Sequence, residues 1–108
     1  MEKDWVNDYI REHNRHLNLT SYYMTHLPKV VCADGFVVSM QVGEGIYSNP
    51  RVSNAKHYTS VELGYPNISD SLISKYAEDP KDETDTVYPY VPIGVVNRLF
   101  EKHGGISN

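Results

Sequence analysis

Apolar and polar positions follow a helical spacing in the first part of the chain. Between residues 4 and 27, apolar side chains recur at spacings of one, three and four, which predicts an amphipathic helix. This stripe consists of Trp5, Val6, Tyr9, Ile10, His13, Leu17, Tyr23, Met24 and Leu27. Asn18 and Thr20 weaken its middle and allow a break there. Pro28 disfavours a helical conformation at the preceding residue, so we expect the helix to end at residue 27.

After Pro28 the pattern changes to an alternation with a period of two, which indicates strands. Lys29–Ala33 is a short β-branched run, and Asp34–Gly35 predicts a tight hairpin turn with two positive-φ positions. The second strand, Phe36–Val42, and the third, His57–Tyr65, each divide their residues between two faces. One face carries Phe36, Val38, Met40 and Val42, then Thr59, Val61, Leu63 and Tyr65; the opposite face carries Val37, Ser39 and Gln41, then Tyr58, Ser60 and Glu62.

The C-terminal part of the chain predicts two more helices and one edge strand. A short helix is expected around its apolar positions Ile68, Leu72, Ile73 and Tyr76, with Asp70 near its positive end. An acidic loop at 78–85 follows, and then an extended segment at 86–91 that Pro89 restricts to a sheet edge. Pro92 suits the first turn of the last helix, and Gly104–Gly105 suit a left-handed cap at its end.

These elements together predict a single α+β domain over residues 1–108. Its centre is a small antiparallel sheet of three to four strands. The N-terminal helix and the two further helices are expected to pack on one face of that sheet.

Composition and charge exclude several classes of function. The net charge is −4 and the sequence pI is about 5.6, whereas binding to nucleic acid normally needs a basic excess. No apolar run approaches the length of a membrane span, and the N-terminus lacks an apolar signal core, so we expect a cytoplasmic protein without membrane contact.

No motif in the sequence predicts catalysis or a cofactor. A nucleophile elbow and a Walker loop are both missing, and the one cysteine, Cys32, lies in an apolar strand where it is expected to act as a small hydrophobic residue. His13 and His16 have the helical spacing of two metal ligands, but no motif marks a third, and solvent-exposed histidines are the simpler interpretation. We therefore predict a non-enzymatic protein with no catalytic residue, metal or cofactor.

The loop between the second and third strands, residues 43–56, carries the side chains best suited to recognition. A turn fixed by Pro50 can hold Arg51 in a set direction, from which its planar guanidinium meets a carboxylate or phosphate in two parallel hydrogen bonds. The alternative is that Arg51 pairs with Glu44 or Glu62 and only stiffens the loop. The candidate binding residues are Gln41, Tyr47, Ser48, Arg51, Lys56, His57, Tyr58 and Glu62.

Six short motifs in a fixed order resemble small proteins encoded by tailed phages and prophages. They are D-G-x-x-x-S-x-Q at 34–41, Y-S-x-P-R at 47–51, Y-T-x-V-E-x-G-Y-P at 58–66, Y-A-E-D-P at 76–80, T-V-Y-x-Y-V-P at 86–92 and K-H-G-G at 102–105. No activity is established for that group, so the resemblance carries over no catalytic residue. Phage origin implies, by association, a protein that acts on a bacterial host factor, within the cytoplasm of the host.

Three functions of different classes remain open on the sequence. The first is a phage-encoded binding protein that inhibits a host protein, such as a component of CRISPR or a similar immune defence; the nine tyrosines favour it, because tyrosine is enriched at interfaces. The second is a binder that sequesters a phosphorylated or nucleotide signal between subunits, with Arg51, Lys56 and His57 on the phosphate and Tyr47 or Tyr58 on the base. The third is a hydrolase or metal enzyme without a recognisable motif.

Self-association is the last expectation. A small sheet has free edges that invite pairing, and the stripe of the N-terminal helix offers more apolar surface than a small sheet is expected to cover. We therefore predict a homodimer or higher homo-oligomer.

Overall fold

The computed structural model describes the backbone of residues 3–20, 27–52 and 55–108, and the side chains of these residues except 14–20. Within these residues the elements are α1 (Trp5–Thr20), β1 (Val30–Val31), β2 (Val37–Gln41), β3 (Ser60–Gly64), a single 3-10 turn (Ser74–Tyr76), β4 (Val87–Pro92) and α2 (Ile93–Lys102). The predicted α+β class with an antiparallel sheet is confirmed. The part of the predicted first helix at 21–26 lies outside the described residues, and Leu27 is not helical.

The four strands form an antiparallel meander in the order β1-β2-β3-β4, so each strand pairs with its neighbour in the chain. Val30 pairs with Val38, and Met40 pairs with Leu63. The β1–β2 turn differs from the prediction, because Gly35 alone has a positive φ, of 96°. Cys32 N–H donates to the Phe36 carbonyl at 2.8 Å, which leaves a loop of three residues closed by a left-handed glycine.

A bulge in β4 sets which of its side chains reach the core. Val61 pairs with Val91 while Leu63 pairs with Tyr88, so β4 holds one residue more than β3 between these two pairs. As a result Tyr88 and Val91 are both buried although they are three residues apart, and exposed Tyr90 adopts a left-handed backbone with φ 51°. β4 lies at the edge of the sheet, as Pro89 predicted.

The core lies between one face of the sheet and the two helices. It includes the predicted face of β2, with Phe36, Val38, Met40 and Val42 all buried, together with Val6, Tyr9, Ile10, Leu27, Val30, Cys32, Tyr58, Val61, Leu63, Ile73, Tyr88, Val91, Val96, Leu99 and Phe100. The predicted faces of the third strand are wrong at its ends. Thr59 and Tyr65 are exposed and Tyr58 is buried, because regular pairing is confined to Ser60–Gly64 and Tyr65 turns out of the sheet with φ 52°.

The predicted helix around Ile68–Tyr76 does not form. Turns lead from Asn67 to the 3-10 turn Ser74–Tyr76, and Ile68 is exposed while Ile73 is buried. Four apolar positions over so short a stretch do not outweigh the cost of starting a helix. The second predicted helical segment is therefore a turn, and the described residues contain two α-helices, not three.

The two helices come from opposite ends of the chain and pack against each other. Val6 N–H donates to the Asn97 side chain at 3.1 Å, and Trp5 Nε1 donates to Glu101 Oε2 at 2.7 Å. Gly104 and Gly105 end α2 with φ of 87° each, as predicted for a left-handed cap. Their N–H groups donate to the carbonyls of Glu101 and Phe100, which completes the hydrogen bonding of the last turn.

The C-terminal residues lie along β1 and cover its outer edge. Ser107 N–H donates to the Val31 carbonyl at 2.8 Å, and the Asn108 side chain binds the backbone of Lys29 and Val31. The bare edge on which the prediction of self-association partly rested is therefore covered at β1. No helix within the described residues is long and apolar enough to cross a membrane.

Candidate functional site

The loop that precedes β3 is held by hydrogen bonds of its own backbone and side chains. The Ser48 hydroxyl is buried, donates to the Pro50 carbonyl at 3.0 Å and accepts from Gly43 N–H at 3.3 Å. Asn49 N–H donates to the Ser60 carbonyl at 3.1 Å, and Thr59 N–H donates to the Asn49 carbonyl at 2.8 Å. Ser48 was predicted as a binding residue, but its position makes it a support for the loop.

Two exposed tyrosines and one arginine meet at the tip of this loop. The rings of Tyr47 and Tyr90 lie 5.7 Å apart between centroids, and their side chains remain 43% and 44% exposed. The Arg51 guanidinium carbon lies 5.2 Å from the centroid of the Tyr47 ring, within range of a cation–π contact. Tyr90 N–H donates to the Tyr47 carbonyl at 3.0 Å, so the loop and β4 are tied together. We refer to Tyr47, Arg51 and Tyr90 as the tyrosine–arginine surface.

The structure separates the two alternatives that the sequence left open for Arg51. Its Nε donates to the Ile46 carbonyl at 3.0 Å, which fixes the side chain. Among the described residues no carboxylate lies within ion-pair distance of its guanidinium, so pairing with Glu44 or Glu62 is absent there. The exposed guanidinium is thus oriented by the loop and retains donors for a partner.

Gln41 and Glu62 face each other across β2 and β3, but both bind neighbouring backbone. Gln41 donates to the Leu27 carbonyl at 3.0 Å and accepts from Leu27 N–H at 2.8 Å. Glu62 Oε2 accepts from Tyr47 N–H at 3.3 Å. Gln41 therefore anchors the backbone of Leu27, and Glu62 helps to position the tyrosine–arginine surface.

Tyr58 was predicted to offer its ring to a ligand, but it belongs to the core. It is 1% exposed, and its hydroxyl donates to the Val52 carbonyl at 2.6 Å. Its backbone N–H donates to the buried Asn7 side chain at 2.8 Å, which joins α1 to the start of β3. Lys56 and His57 are exposed, and no contact in the described residues joins either of them to Arg51.

A charge cluster that sequence reasoning missed lies around buried His103. His103, 6% exposed, places Nδ1 2.6 Å from Asp34 Oδ2 and Nε2 2.8 Å from Asp70 Oδ2. Its ring stacks on Phe36 with centroids 4.1 Å apart, and Lys102 Nζ lies 3.1 Å from Asp70 Oδ2. No local motif could reveal this cluster, because its members come from a turn, a loop and a helix end far apart in the chain.

The charges and hydrogen bonds of this cluster suit a structural role, in which His103 holds Asp34 and Asp70 together. Each ring nitrogen of His103 lies within hydrogen-bond distance of one carboxylate, so the imidazole links Asp34 to Asp70. The hydrogen bond from His103 holds the pKa of Asp34 below its usual value. For Asp70, burial alone would raise the pKa, but hydrogen bonds from the Leu72 amide, His103 and Lys102 outweigh it and the pKa is lowered. With both nitrogens occupied and the ring buried, His103 ties three segments of the chain together.

Comparison of the chain with models of known protein families, with curated proteins and with solved structures finds no match. No group of three or more His, Cys, Asp or Glu residues is arranged to hold a metal within the described part of the chain.

Proposed function

We propose that this chain is a non-enzymatic binding protein that recognises another protein through the tyrosine–arginine surface. The observation that carries this proposal is that exposed Tyr47 and Arg51, on a loop tied to the sheet, lie beside exposed Tyr90 of β4. Tyrosine and arginine are the residue types enriched at the energetic centres of protein interfaces.

The rigidity of this loop supports binding because less freedom is lost on association. The loop is hydrogen-bonded at Ser48 and Asn49, and the Tyr47 backbone is held at both its N–H and its carbonyl. Tyr90 is held in the same way, because its N–H donates to the Tyr47 carbonyl at 3.0 Å.

The resemblance to phage-encoded proteins supports a proposal for the kind of protein that is the partner. We infer that the partner is a bacterial host protein, with an immune-defence component such as a CRISPR effector as the first candidate. Arg51 would meet a carboxylate of that partner, and the two tyrosine rings would supply the apolar contact area.

An affinity experiment with matched variants tests this proposal. The purified protein is used to capture partners from a bacterial lysate, and the wild type is compared with Tyr47→Ala, Arg51→Ala and Tyr65→Ala. Tyr65 is a matched control, because it is an exposed tyrosine with positive φ that is not part of the tyrosine–arginine surface. Once the partner is purified, Tyr47→Ala and Arg51→Ala are expected to weaken binding by about thirtyfold or more, and Tyr65→Ala to leave it unchanged.

Expression in bacteria with an active CRISPR system tests the proposed class of partner. Wild-type protein should reduce immunity against phage, and Arg51→Ala should restore it. Wild-type protein that enriches no partner and leaves immunity intact would contradict the proposal.

A further inference from the structure

A concave surface lies between the start of α1 and α2, and it differs in chemistry from the tyrosine–arginine surface. Its volume is about 720 Å³, within the range of about 300–1,000 Å³ that small-molecule sites occupy. The residues that line it are Lys3, Trp5, Leu72, Asn97, Arg98, Glu101 and Lys102. We refer to this cavity as the α1–α2 groove.

The charge of the groove is opposite to that of the chain. The chain carries a net charge of −4, yet three of the groove's charged side chains are basic and only Glu101 is acidic. Glu101 is already engaged, because its Oε2 accepts the 2.7 Å hydrogen bond from Trp5 Nε1. Three cations that converge on one concavity of an acidic protein favour an anion there.

The three cations differ in how far they are already engaged. Lys102 Nζ pairs with buried Asp70 at 3.1 Å, and Lys3 Nζ lies 4.0 Å from the centroid of the Trp5 ring. Arg98 is exposed, and no carboxylate of the described residues lies within ion-pair distance of it. Arg98 is therefore the side chain with the most donors left for an anionic ligand, in the planar arrangement that suits phosphate.

The walls of the groove provide a flat apolar surface beside these charges. Trp5 is held in place, since a Cβ on Gly105 would stand 2.6 Å from its ring and its Nε1 is bound to Glu101. Leu72, from the turn that precedes Ser74, adds aliphatic surface to the wall of the groove. Lys3 Nζ lies over the ring, 4.0 Å from its centroid, and a ligand of opposite charge would draw that ammonium to itself and open the ring face.

From this combination we propose that the α1–α2 groove binds a small organic anion that carries both a phosphate and a planar ring, as nucleotides do. Arg98, Lys3 and Lys102 bind the phosphate, and the base lies against Trp5. Binding at this groove is independent of protein recognition by the tyrosine–arginine surface.

The single tryptophan of the chain makes the test specific to the groove. Calorimetry with ATP, AMP, adenosine and inorganic tripolyphosphate measures affinity, and quenching of Trp5 fluorescence locates the binding. We expect ATP to bind at least about tenfold more tightly than adenosine, which lacks phosphate, and than tripolyphosphate, which lacks the ring.

Variants separate this groove from the other surface. Arg98→Ala and Lys3→Ala should each weaken ATP binding by about tenfold, whereas Arg51→Ala should leave it unchanged. The Lys3 and Arg98 side chains are both exposed, so both variants are expected to fold, which circular dichroism checks. If one variant does not fold, ATP binding is measured on the other. If Arg51→Ala loses partner capture but retains ATP binding, the two surfaces bind their ligands independently, and failure of one proposal does not affect the other.

Three results would overturn the inference. The first is the absence of binding by every probe at millimolar concentration. The second is ATP binding that persists unchanged in both Arg98→Ala and Lys3→Ala. The third is a glutamate-rich peptide that binds more tightly than ATP, since that would make the groove a docking site for an acidic protein segment.

Discussion

Replacement of Asp70 by asparagine tests the buried charge cluster with almost no change in shape. Asp70 is 3% exposed on its side chain and accepts hydrogen bonds from His103 Nε2 at 2.8 Å and from the Leu72 amide at 2.9 Å. Asp70→Asn keeps the size of the side chain but removes the negative charge between His103 and Lys102. The His103 ring then keeps only Asp34, which is half exposed, as a charged partner.

The expected loss follows from what each contact contributes. A hydrogen bond to a charged group contributes about 1.5–3 kcal/mol, and the bond between His103 and Asp70 is the most buried one of the cluster. Lys102 is half exposed, so water screens its ion pair and its share is about 0–1 kcal/mol. We therefore expect Asp70→Asn to lower the free energy of unfolding by about 2–3 kcal/mol, and the melting temperature by about 10 °C.

Urea denaturation across a pH series is the assay. The pKa values of Asp34 and Asp70 are both lowered in the folded protein, so their contribution to stability is fully present above the unfolded carboxyl pKa and is lost as the pH falls through the lower folded values. Wild-type protein should thus lose stability below about pH 4, and Asp70→Asn should show a shallower decline.

A matched variant on the surface controls for the general effect of replacing an aspartate by asparagine. Asp85→Asn makes the same change on an exposed side chain of the acidic loop and should leave both stability and its pH profile unchanged. If Asp70→Asn were as stable as the wild type at pH 7 and declined with the same pH profile, the cluster would not contribute to stability and our reasoning would be wrong.

Three further predictions concern packing, reactivity and assembly. Gly105→Ala should destabilise the protein by about 1–2 kcal/mol more than Gly35→Ala in urea denaturation. Both glycines have positive φ, but only a Cβ at Gly105 would collide with Trp5. Equal losses of stability in the two variants would contradict the contact between Gly105 and Trp5. Burial, with the nearby charge of Asp34, raises the pKa of the Cys32 thiol to about 11, so alkylation at pH 8 should require unfolding, and rapid reaction of native protein would contradict this. Self-association stays a prediction: light scattering should give a mass above the 12.3 kDa of one chain, and Trp5→Glu should reduce it if α1 forms the interface, whereas a monomeric mass would contradict it.

Local sequence patterns were sufficient for the parts of the fold that depend on local geometry. The alternation in Phe36–Val42 placed four side chains correctly in the core, and Gly104–Gly105 marked the end of α2. In both cases the backbone conformation depends on residues a few positions away. The prediction failed where a distant contact decided the outcome. Tyr58 is buried because Asn7, far away in α1, binds its backbone.

The candidate site was predicted in part for the same reason. Tyr47 and Arg51 lie within one loop, so their neighbourhood could be inferred from the chain itself, and the structure brings them together. Tyr90 joins them only because a bulge turns it out of β4, and an extra residue in a strand leaves no mark in the spacing of apolar positions. The α1–α2 groove was missed altogether, since its residues come from three distant parts of the chain: the N-terminal residues, Leu72 and α2.

The pairing of α1 with α2 has a consequence for the order in which the molecule assembles. The strands form a meander in which each partner is the next strand in the chain, so the sheet closes through the connections 32–36, 42–59 and 65–86. The hydrogen bonds from α1 to α2 join residues that are 91 and 96 positions apart, much farther than any connection between neighbouring strands. Its docking is thus the most non-local step of folding, and until it occurs the apolar surface that Val6 and Ile10 cover stays open to water or to another chain.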